Sequence, residues 1–409
     1  MEQVVLVRYG EIILKGLNRH VFEEKLAANI RRALSQLGRS RIDIAQGRIF
    51  IIPGDETYDL QAAALKVKNV FGVVSASIAY KTGKSREEIA KAAEAAARGY
   101  MGANAPRSPG GKYTFKNETK RSDKSYARIS PEISRDAGYD LLSVIENLEV
   151  DVVSPQFTVF IEVRETAAYA YTEKTAGFGG LPIGSNGKAL LLLSGGIDSP
   201  VAGFMMAKRG VEMEAVHFYS YPYTNERSRD KVIKLSEILA GYFGRLAINI
   251  VPFTDVQLAI RDNCREELST IVMRRAMMYI AEIIAGNATA QAIVTGESMG
   301  QVASQTIQSL AVTDCATALP VFRPLIGMDK LEVIGYARRI GTYDTSILPY
   351  DDCCTLFTPK HPKTKPKLDE VLAQEARVSG LAGMVREAAD NAERLIVYPD
   401  AAANEYAGG

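Results

Sequence analysis

Residues 188–210 read KALLLLSGGIDSPVAGFMMAKRG, and the fold class follows from them. Ala189–Leu193 is a short, uniformly apolar run, the signature of a strand buried on both faces of a parallel sheet. Ser194-Gly195-Gly196-Ile197-Asp198-Ser199 comes next, and Pro200 opens a helical pattern that stops at Gly210. Proline suits the first helical position, where its missing N–H would be unpaired, and glycine suits the left-handed residue past the end. The hexapeptide thus joins a strand end to a helix N-terminus, where unpaired N–H groups and the helix dipole attract an anion. Two glycines let the backbone wrap phosphate oxygens, and the hydroxyls of Ser194 and Ser199 add donors.

This is not a Walker loop, because Gly187-Lys188 is followed by Ala189 and residue 182 is proline. Nor is it a dinucleotide fingerprint, since Gly177-Phe178-Gly179 has Pro182 where the last glycine belongs. SGGIDS instead resembles the PP-loop of the ATP pyrophosphatases, which split ATP between the α and β phosphates.

A chain of 409 residues implies two or three domains. The content, 47% hydrophobic and 24% charged, is that of an ordinary globular protein, and the net charge of +1 excludes no partner. No apolar run approaches a membrane span, and Arg8 and Glu11 break the N-terminal stretch too early for a signal peptide. Four cysteines (264, 315, 353, 354) lack zinc or disulfide spacing, and three histidines (20, 217, 361) are scattered, so no protein-built metal site is expected. The reading is a cytoplasmic protein with free thiols.

Residues 1–58 read strand (Gln3–Arg8), helix (capped by Asn18, to about Leu37) and strand (Arg41–Ile52), half of a split βαβ plan. Residues 59–167 form a second unit, with Lys112, Lys116, Lys120, Arg121, Lys124 and Arg128 interleaved with Tyr113, Phe115 and Tyr126. Between Arg107 and Arg128 seven cations face two anions, a composition suited to a phosphate backbone. The turn holding Arg8, Lys15 and Arg19 reads by composition alone as a solvated helix entry. Residues 168–187 are Gly-rich without apolar periodicity and read as a linker.

From residue 188 to 409, strands alternate with helices: Val211–Tyr219, Ser228–Gly241, Leu246–Pro252, Glu266–Gly286 and Ala290–Thr295. That pattern predicts a doubly wound parallel sheet with its ligand outside the strand C-termini. The rule selects Leu192 and Leu193, His217 with Phe218 as an apolar wall, and Gly296. Arg274 and Arg275 interrupt an apolar helix, so one of them is expected to meet a phosphate or carboxylate. Gln305 lies in a second polar loop, and Leu368–Leu395 reads as a helical tail. Lys360, His361 and Lys363 favour a reactive thiol at Cys353 or Cys354, whereas Asp351 and Asp352 oppose it.

RYGEIILKGLNR, KRSDKSYARISPEISRDAG, SGGIDSPVAGF, VTGESMGQVASQT and DDCCT together resemble, in order and over the whole chain, the tRNA uracil 4-sulfurtransferases (the 4-thiouridine synthetase, ThiI, family). The resemblance implies a ferredoxin-like domain, an RNA-binding THUMP domain and a PP-loop ATPase domain. It implies ATP with Mg²⁺ on the nucleotide, and tRNA held by Arg8, Lys15, Arg19 and the six later cations named above. It puts the nucleotide on Ser194–Ser199, Leu192, Leu193, His217, Phe218, Arg274, Gly296 and Gln305, and makes Asp198 and Cys353 catalytic. Uracil O4 of uridine 8 would be adenylated and a Cys353 persulfide would deliver sulfur. Long members add a rhodanese-like domain; without one here, sulfur is expected directly from a cysteine desulfurase, and the thiamine thiazole role is not expected to carry over. Homodimer formation and the second thiol (Cys354, Cys264, Cys315 or an external one) stay open. The rivals are a lysidine or 2-thiouridine synthetase, and a tRNA-binding chaperone with a vestigial nucleotide site.

Overall fold

The structure, a computed structural model, describes residues 1–108, 110–350, 359 and 361–399. The chain divides into two compact units, Met1–Gly180 and Leu181–Gly409.

In the first unit β1 (Gln3–Tyr9) buries Val4, Val5, Leu6 and Val7, so both its faces are covered. A 3-10 segment, Glu11–Asn18, leads into α1 (Arg19–Leu34), which buries Leu26, Ala27, Ile30 and Leu34 along one face. Asn18 makes no side-chain cap: its backbone is already helical (φ −85°, ψ 0°), whereas a capping residue is extended. The single strand expected over Arg41–Ile52 is a hairpin of β2 (Ser40–Ala45) and β3 (Arg48–Pro53), turned at Gln46 and Gly47 with φ of 50° and 76°. Such a pair of positive φ angles matches the twist of the flanking strands. Then come α2 (Leu60–Val67), capped by Asp59, and β4 (Val73–Thr82). The antiparallel order β2-β3-β1-β4 completes a βαββαβ ferredoxin-like motif at Thr82 rather than near residue 58. The hidden hairpin is why the sequence reading closed the motif too early.

A capping box of Ser85 and Glu88 starts α3 (Arg86–Ala103). It is followed by β5 (Tyr113–Arg121), α4 (Ser130–Val144), β6 (Leu148–Val150), β7 (Phe157–Val163), β8 (Ala168–Tyr171) and β9 (Thr175–Ala176). β8 pairs with both β4 and β7, and β9 with β4, merging the two halves into one 9-stranded sheet. Within the stretch read as a linker, Ala168–Tyr171 and Thr175–Ala176 are therefore sheet, and 177–187 holds no strand. Ala168–Tyr171 shows no alternation because all four residues are buried. The helices share one face of this sheet. On the other, Val4, Leu6, Phe50, Tyr169 and Tyr171 form a second core. Phe50 and Tyr169 stack with centroids 4.8 Å apart although β1 and β4 lie between their strands. A flat sheet would hold them about 14 Å apart, so the sheet curls around these rings.

The second unit runs β10 (Lys188–Leu192), α5 (Asp198–Ala207), β11 (Glu212–Tyr219), α6 (Glu226–Phe243), β12 (Leu246–Pro252), α7 (Thr254–Asn263), α8 (Glu266–Asn287), β13 (Ile293–Val294), α9 (Ile307–Asp314) and β14 (Val321–Phe322). It continues with α10 (Lys330–Arg339), α11 (Tyr343–Ser346), α12 (Leu368–Glu375), α13 (Leu381–Asp390) and β15 (Glu393–Val397). The sheet order is β14-β13-β10-β11-β12-β15, parallel except for antiparallel β15. Leu190 packs with the α8 core and Leu191 lies under Gly203 of α5, so successive residues of β10 face opposite helix layers. The tail expected to be helical ends instead as the edge strand β15. α5 begins at Asp198, which makes Pro200 its third residue, still within the turn that needs no internal N–H bond. The chain leaves β10 toward β11 and returns to β13 on the other side. That reversal opens the crevice where doubly wound sheets bind ligands.

Candidate active site

Ser194–Ser199 bridges the end of β10 and the start of α5. Its two serines brace the turn internally: the Ser194 N–H donates to Ser199 Oγ (2.9 Å), and the Gly196 N–H donates to Ser194 Oγ (3.3 Å). These two contacts use the hydroxyl oxygens as acceptors and occupy the N–H groups of Ser194 and Gly196, while the Ser199 hydroxyl donates to the Ser194 carbonyl (3.3 Å); the start of α5 adds its unpaired N–H groups as donors for an anion. At the entrance to α5, Asp198 Oδ1 accepts from Lys330 Nζ (2.8 Å) and Oδ2 from Gln301 Nε2 (2.9 Å). Lys330 is the first residue of α10, held by a capping box of Asp329 and Glu332. A cation at a helix N-terminus opposes the dipole, and Asp198 supplies the compensation.

Gly296, just past β13, lies against the same helix start. A Cβ there would sit 2.6 Å from the Ser199 backbone nitrogen and 2.8 Å from the Asp198 carbonyl carbon. The crevice between β10 and β13 is closed at its root by backbone on backbone. Past Gly296, Glu297 is 5% exposed and is bound by Arg274, Arg323 (2.6 Å) and Thr295 (2.8 Å). Arg274 also donates to Ser304 Oγ (2.9 Å). Its guanidinium braces this loop through Glu297 and Ser304. Arg275 is buried on Glu375 (2.5 Å) and the Val312 carbonyl, so both arginines of α8 find carboxylates. Gln305 Oε1 is buried and accepts no hydrogen bond, an acceptor held ready for a donor from outside the loop.

His217 is 4% exposed and its Nδ1 meets the Leu193 carbonyl at 3.0 Å, tying β11 to β10. Because a carbonyl only accepts, Nδ1 carries the proton. Phe218 is packed edge-on against Phe253 (5.1 Å) in the α8 core, so the expected apolar wall is core filling. Leu193 is buried and Leu192 half-buried at the mouth of β10. Cys353 and Cys354 lie outside the described residues. Burial raises the Cys264 thiol pKa, and Cys315 is exposed past α9. Among the described residues no group of three metal-ligating side chains occurs.

In the first unit the cations expected to face RNA divide. Arg8 is turned inward, donating to Glu162 (2.9 Å) and Ser77 (3.0 Å) with its guanidinium 4.6 Å from the Tyr171 ring. It sits on a central strand, on the curled face, and cannot reach solvent freely. Arg19 is held by Glu23 (2.8 Å) and the Tyr9 hydroxyl (3.0 Å), and Lys15 lies 4.9 Å from the Phe22 ring. Arg121 donates to the carbonyls of Tyr126 (2.6 Å) and Arg128 (3.0 Å), stapling the basic loop, and Arg128 pairs with Asp136. Lys112, Lys120 and Lys124 are exposed and Lys116 is half-buried. Tyr113 and Phe115, which alternate with these lysines along β5, point into the core.

Sequence reasoning missed Lys330, and it placed Glu297 and Gln301 in the second polar loop without giving either a role. Asp329 and Glu332 mark a helix start at Lys330, but no local pattern marks the partner of that lysine. It also missed Lys174, whose Nζ lies 3.3 Å from the centre of the Phe160 ring and whose pKa is lowered by burial and then by Arg8.

A probable tRNA sulfurtransferase of Acetivibrio thermocellus is 53% identical over 400 residues, spanning 98% of this chain and 100% of that one. The chain belongs to the ThiI family. The model of the family described as thiamine biosynthesis protein (ThiI) matches residues 184–379, the ThiI ferredoxin-like domain residues 4–77 and the THUMP domain residues 83–173. A probable tRNA sulfurtransferase of Alkaliphilus oremlandii is 50% identical over 378 residues, 92% of this chain and 94% of that one. A crystal structure of a 4-thiouridine synthetase in complex with RNA and ATP superimposes with a TM-score of 0.87 at 37% identity, over 97% of this chain and 100% of that one. The ThiI architecture thus runs ferredoxin-like, THUMP, PP-loop.

Proposed function

We propose that this chain is an ATP-dependent tRNA sulfurtransferase that makes 4-thiouridine at uridine 8. The observation that carries the reading is the Asp198–Lys330–Gln301 constellation at the N-terminus of α5, locked against Gly296 beside the SGGIDS loop. ATP phosphates lie on the loop and helix end, where N–H dipoles stabilise charge without reorganising. Uracil O4 attacks the α-phosphate and pyrophosphate leaves, so the oxygen now departs as AMP. Lys330 is a side-chain cation placed to offset negative charge there; Asp198 holds its ammonium, and Gln301 in turn holds Asp198. Magnesium on a nucleotide needs only one or two carboxylates, and Asp198 fits as one; the ion would neutralise the departing pyrophosphate. Gln305 Oε1, buried and unpaired, suits an amino or hydroxyl donor of nucleotide or substrate.

The sulfur step falls to Cys353. Charged as a persulfide by a cysteine desulfurase, its terminal sulfur attacks C4 and expels AMP. A second thiol then attacks Cys353 Sγ, leaving a disulfide on the protein and a thiocarbonyl on the base. The setting is the cytoplasm, and the lysines of the THUMP domain carry the tRNA. Mass spectrometry of tRNA from cells lacking the gene, complemented with wild type or Cys353→Ser, tests this reading. 4-Thiouridine is expected to vanish on deletion and to return only with wild type; rescue by Cys353→Ser rejects the persulfide role.

A further inference from the structure

The loop following β11 has a buried interior and an exposed rim. Ser220 is 0% exposed; its hydroxyl donates to Gln257 Oε1 (2.7 Å), and its N–H donates to Thr224 Oγ1 (3.2 Å). The Thr254 hydroxyl donates to the Tyr221 carbonyl (2.8 Å), and the Phe253 N–H to the Tyr219 carbonyl (2.9 Å). On this pinned frame Tyr221 is 62% exposed and Tyr223 47%. The Tyr219 ring lies beneath Tyr221, centroids 6.4 Å apart and planes 29° apart, extending the aromatic surface inward. Arg261 sets a guanidinium near the Tyr223 hydroxyl at the rim, its Nε donating to Asp262 Oδ1 (2.7 Å).

Buried polar anchoring of exposed rings is not what a solvated connection needs, since exposed aromatic area costs free energy in water. Position supplies the reason. β11 pairs with β10, whose end is the phosphate loop. On the other side of β10, the segment after β13 exposes Met299 (48%) and Val302 (51%). The roots of these two segments, at the ends of β11 and β13, are two strand spacings apart, about 10 Å, with the phosphate loop between them.

We propose that Tyr221 and Tyr223 form a stacking platform for the target base of the RNA as it is drawn out of its own stack toward the phosphate loop. A base removed from RNA loses its stacking partners, and tyrosine faces replace them. Arg261 suits the neighbouring phosphate. The proposal rests on the RNA-modifying reading above and adds where the base is received.

The test compares wild type with Tyr221→Ala, Tyr223→Ala and the corresponding Phe variants, in two assays. In 4-thiouridine formation, kcat/KM for tRNA should fall about tenfold per alanine, on the scale of one lost base–aromatic stack, with KM for ATP unchanged and Phe variants near wild type. In fluorescence anisotropy with labelled single-stranded oligouridine, which needs no sulfur transfer, alanine should weaken binding and phenylalanine should not. A wild type that binds oligouridine in this pattern but forms no 4-thiouridine defeats the earlier reading and leaves the platform standing. The platform is overturned if the alanine variants match wild type, if KM for ATP rises in place of that for tRNA, or if phenylalanine falls as far as alanine.

Discussion

Gly296 shows how little freedom the crevice leaves a single residue. Adding a methyl group there drives Cβ onto the Ser199 nitrogen and the Asp198 carbonyl carbon, both backbone atoms that cannot rotate away. Gly296→Ala is therefore expected to cost about 1–3 kcal/mol through overpacking and to abolish the rise in melting temperature on adding ATP. Scanning calorimetry with and without nucleotide reads both. Lys330 tests the opposite case. Its side chain is 43% exposed, so its pair with Asp198 adds little to stability, and Lys330→Met should melt like wild type. Turnover should fall about 100-fold, as when one preorganised charge contact is removed; single-turnover thiolation measures it. The Ser194–Ser199 loop was legible in the sequence because strand, glycines and helix start adjoin. Lys330 was not, because it reaches Asp198 from 132 residues away, and no local pattern encodes that meeting.

Among elements, the curled face of the first unit depends on one carboxylate. Glu162, on β7, is 3% exposed and meets Arg8, Arg48 and Arg164 together with the Tyr171 hydroxyl. Burial pushes its pKa up, but the three guanidinium groups outweigh burial and bring it down to about 2, from an ordinary 4.5. A carboxylate with a depressed folded value gives stability that is complete above its unfolded pKa and lost as pH falls toward the folded one. Urea unfolding should accordingly show the first unit weakening from about pH 5 down to pH 2. Glu162→Gln should remove that dependence and cost about 3–5 kcal/mol at neutral pH, since it strands buried cations. Neither partner set nor curvature was visible beforehand. Arg8 stood in a polar turn and read as a solvated cation, and the Gln46-Gly47 turn lacks the asparagine or aspartate that usually announces a hairpin. The apolar run of β10 was local and could be read directly.

For the whole molecule, each unit closes its own core: Val5, Ile30 and Ile51 in the first, and Leu190, Val251 and Ile280 in the second. Two calorimetric transitions are expected. ATP should raise only that of Leu181–Gly409, and an RNA duplex without an unstacked target base only that of Met1–Gly180, because a ligand stabilises the unit that binds it. A single transition shifted by both ligands would reject this division. The order of domains was readable from their motifs, but their seams were not, because β8 and β9 look like a linker until their partners on β4 and β7 are known.

The commitment of Arg274 and Arg275 to neighbouring carboxylates has a consequence for how the two substrates respond to ionic strength. A cradle built mainly of main-chain dipoles and one lysine releases few counterions when ATP arrives, whereas a lysine-studded strand releases many when RNA arrives. Added potassium chloride should thus strip the polynucleotide long before it empties the nucleotide pocket, leaving a charged but idle enzyme.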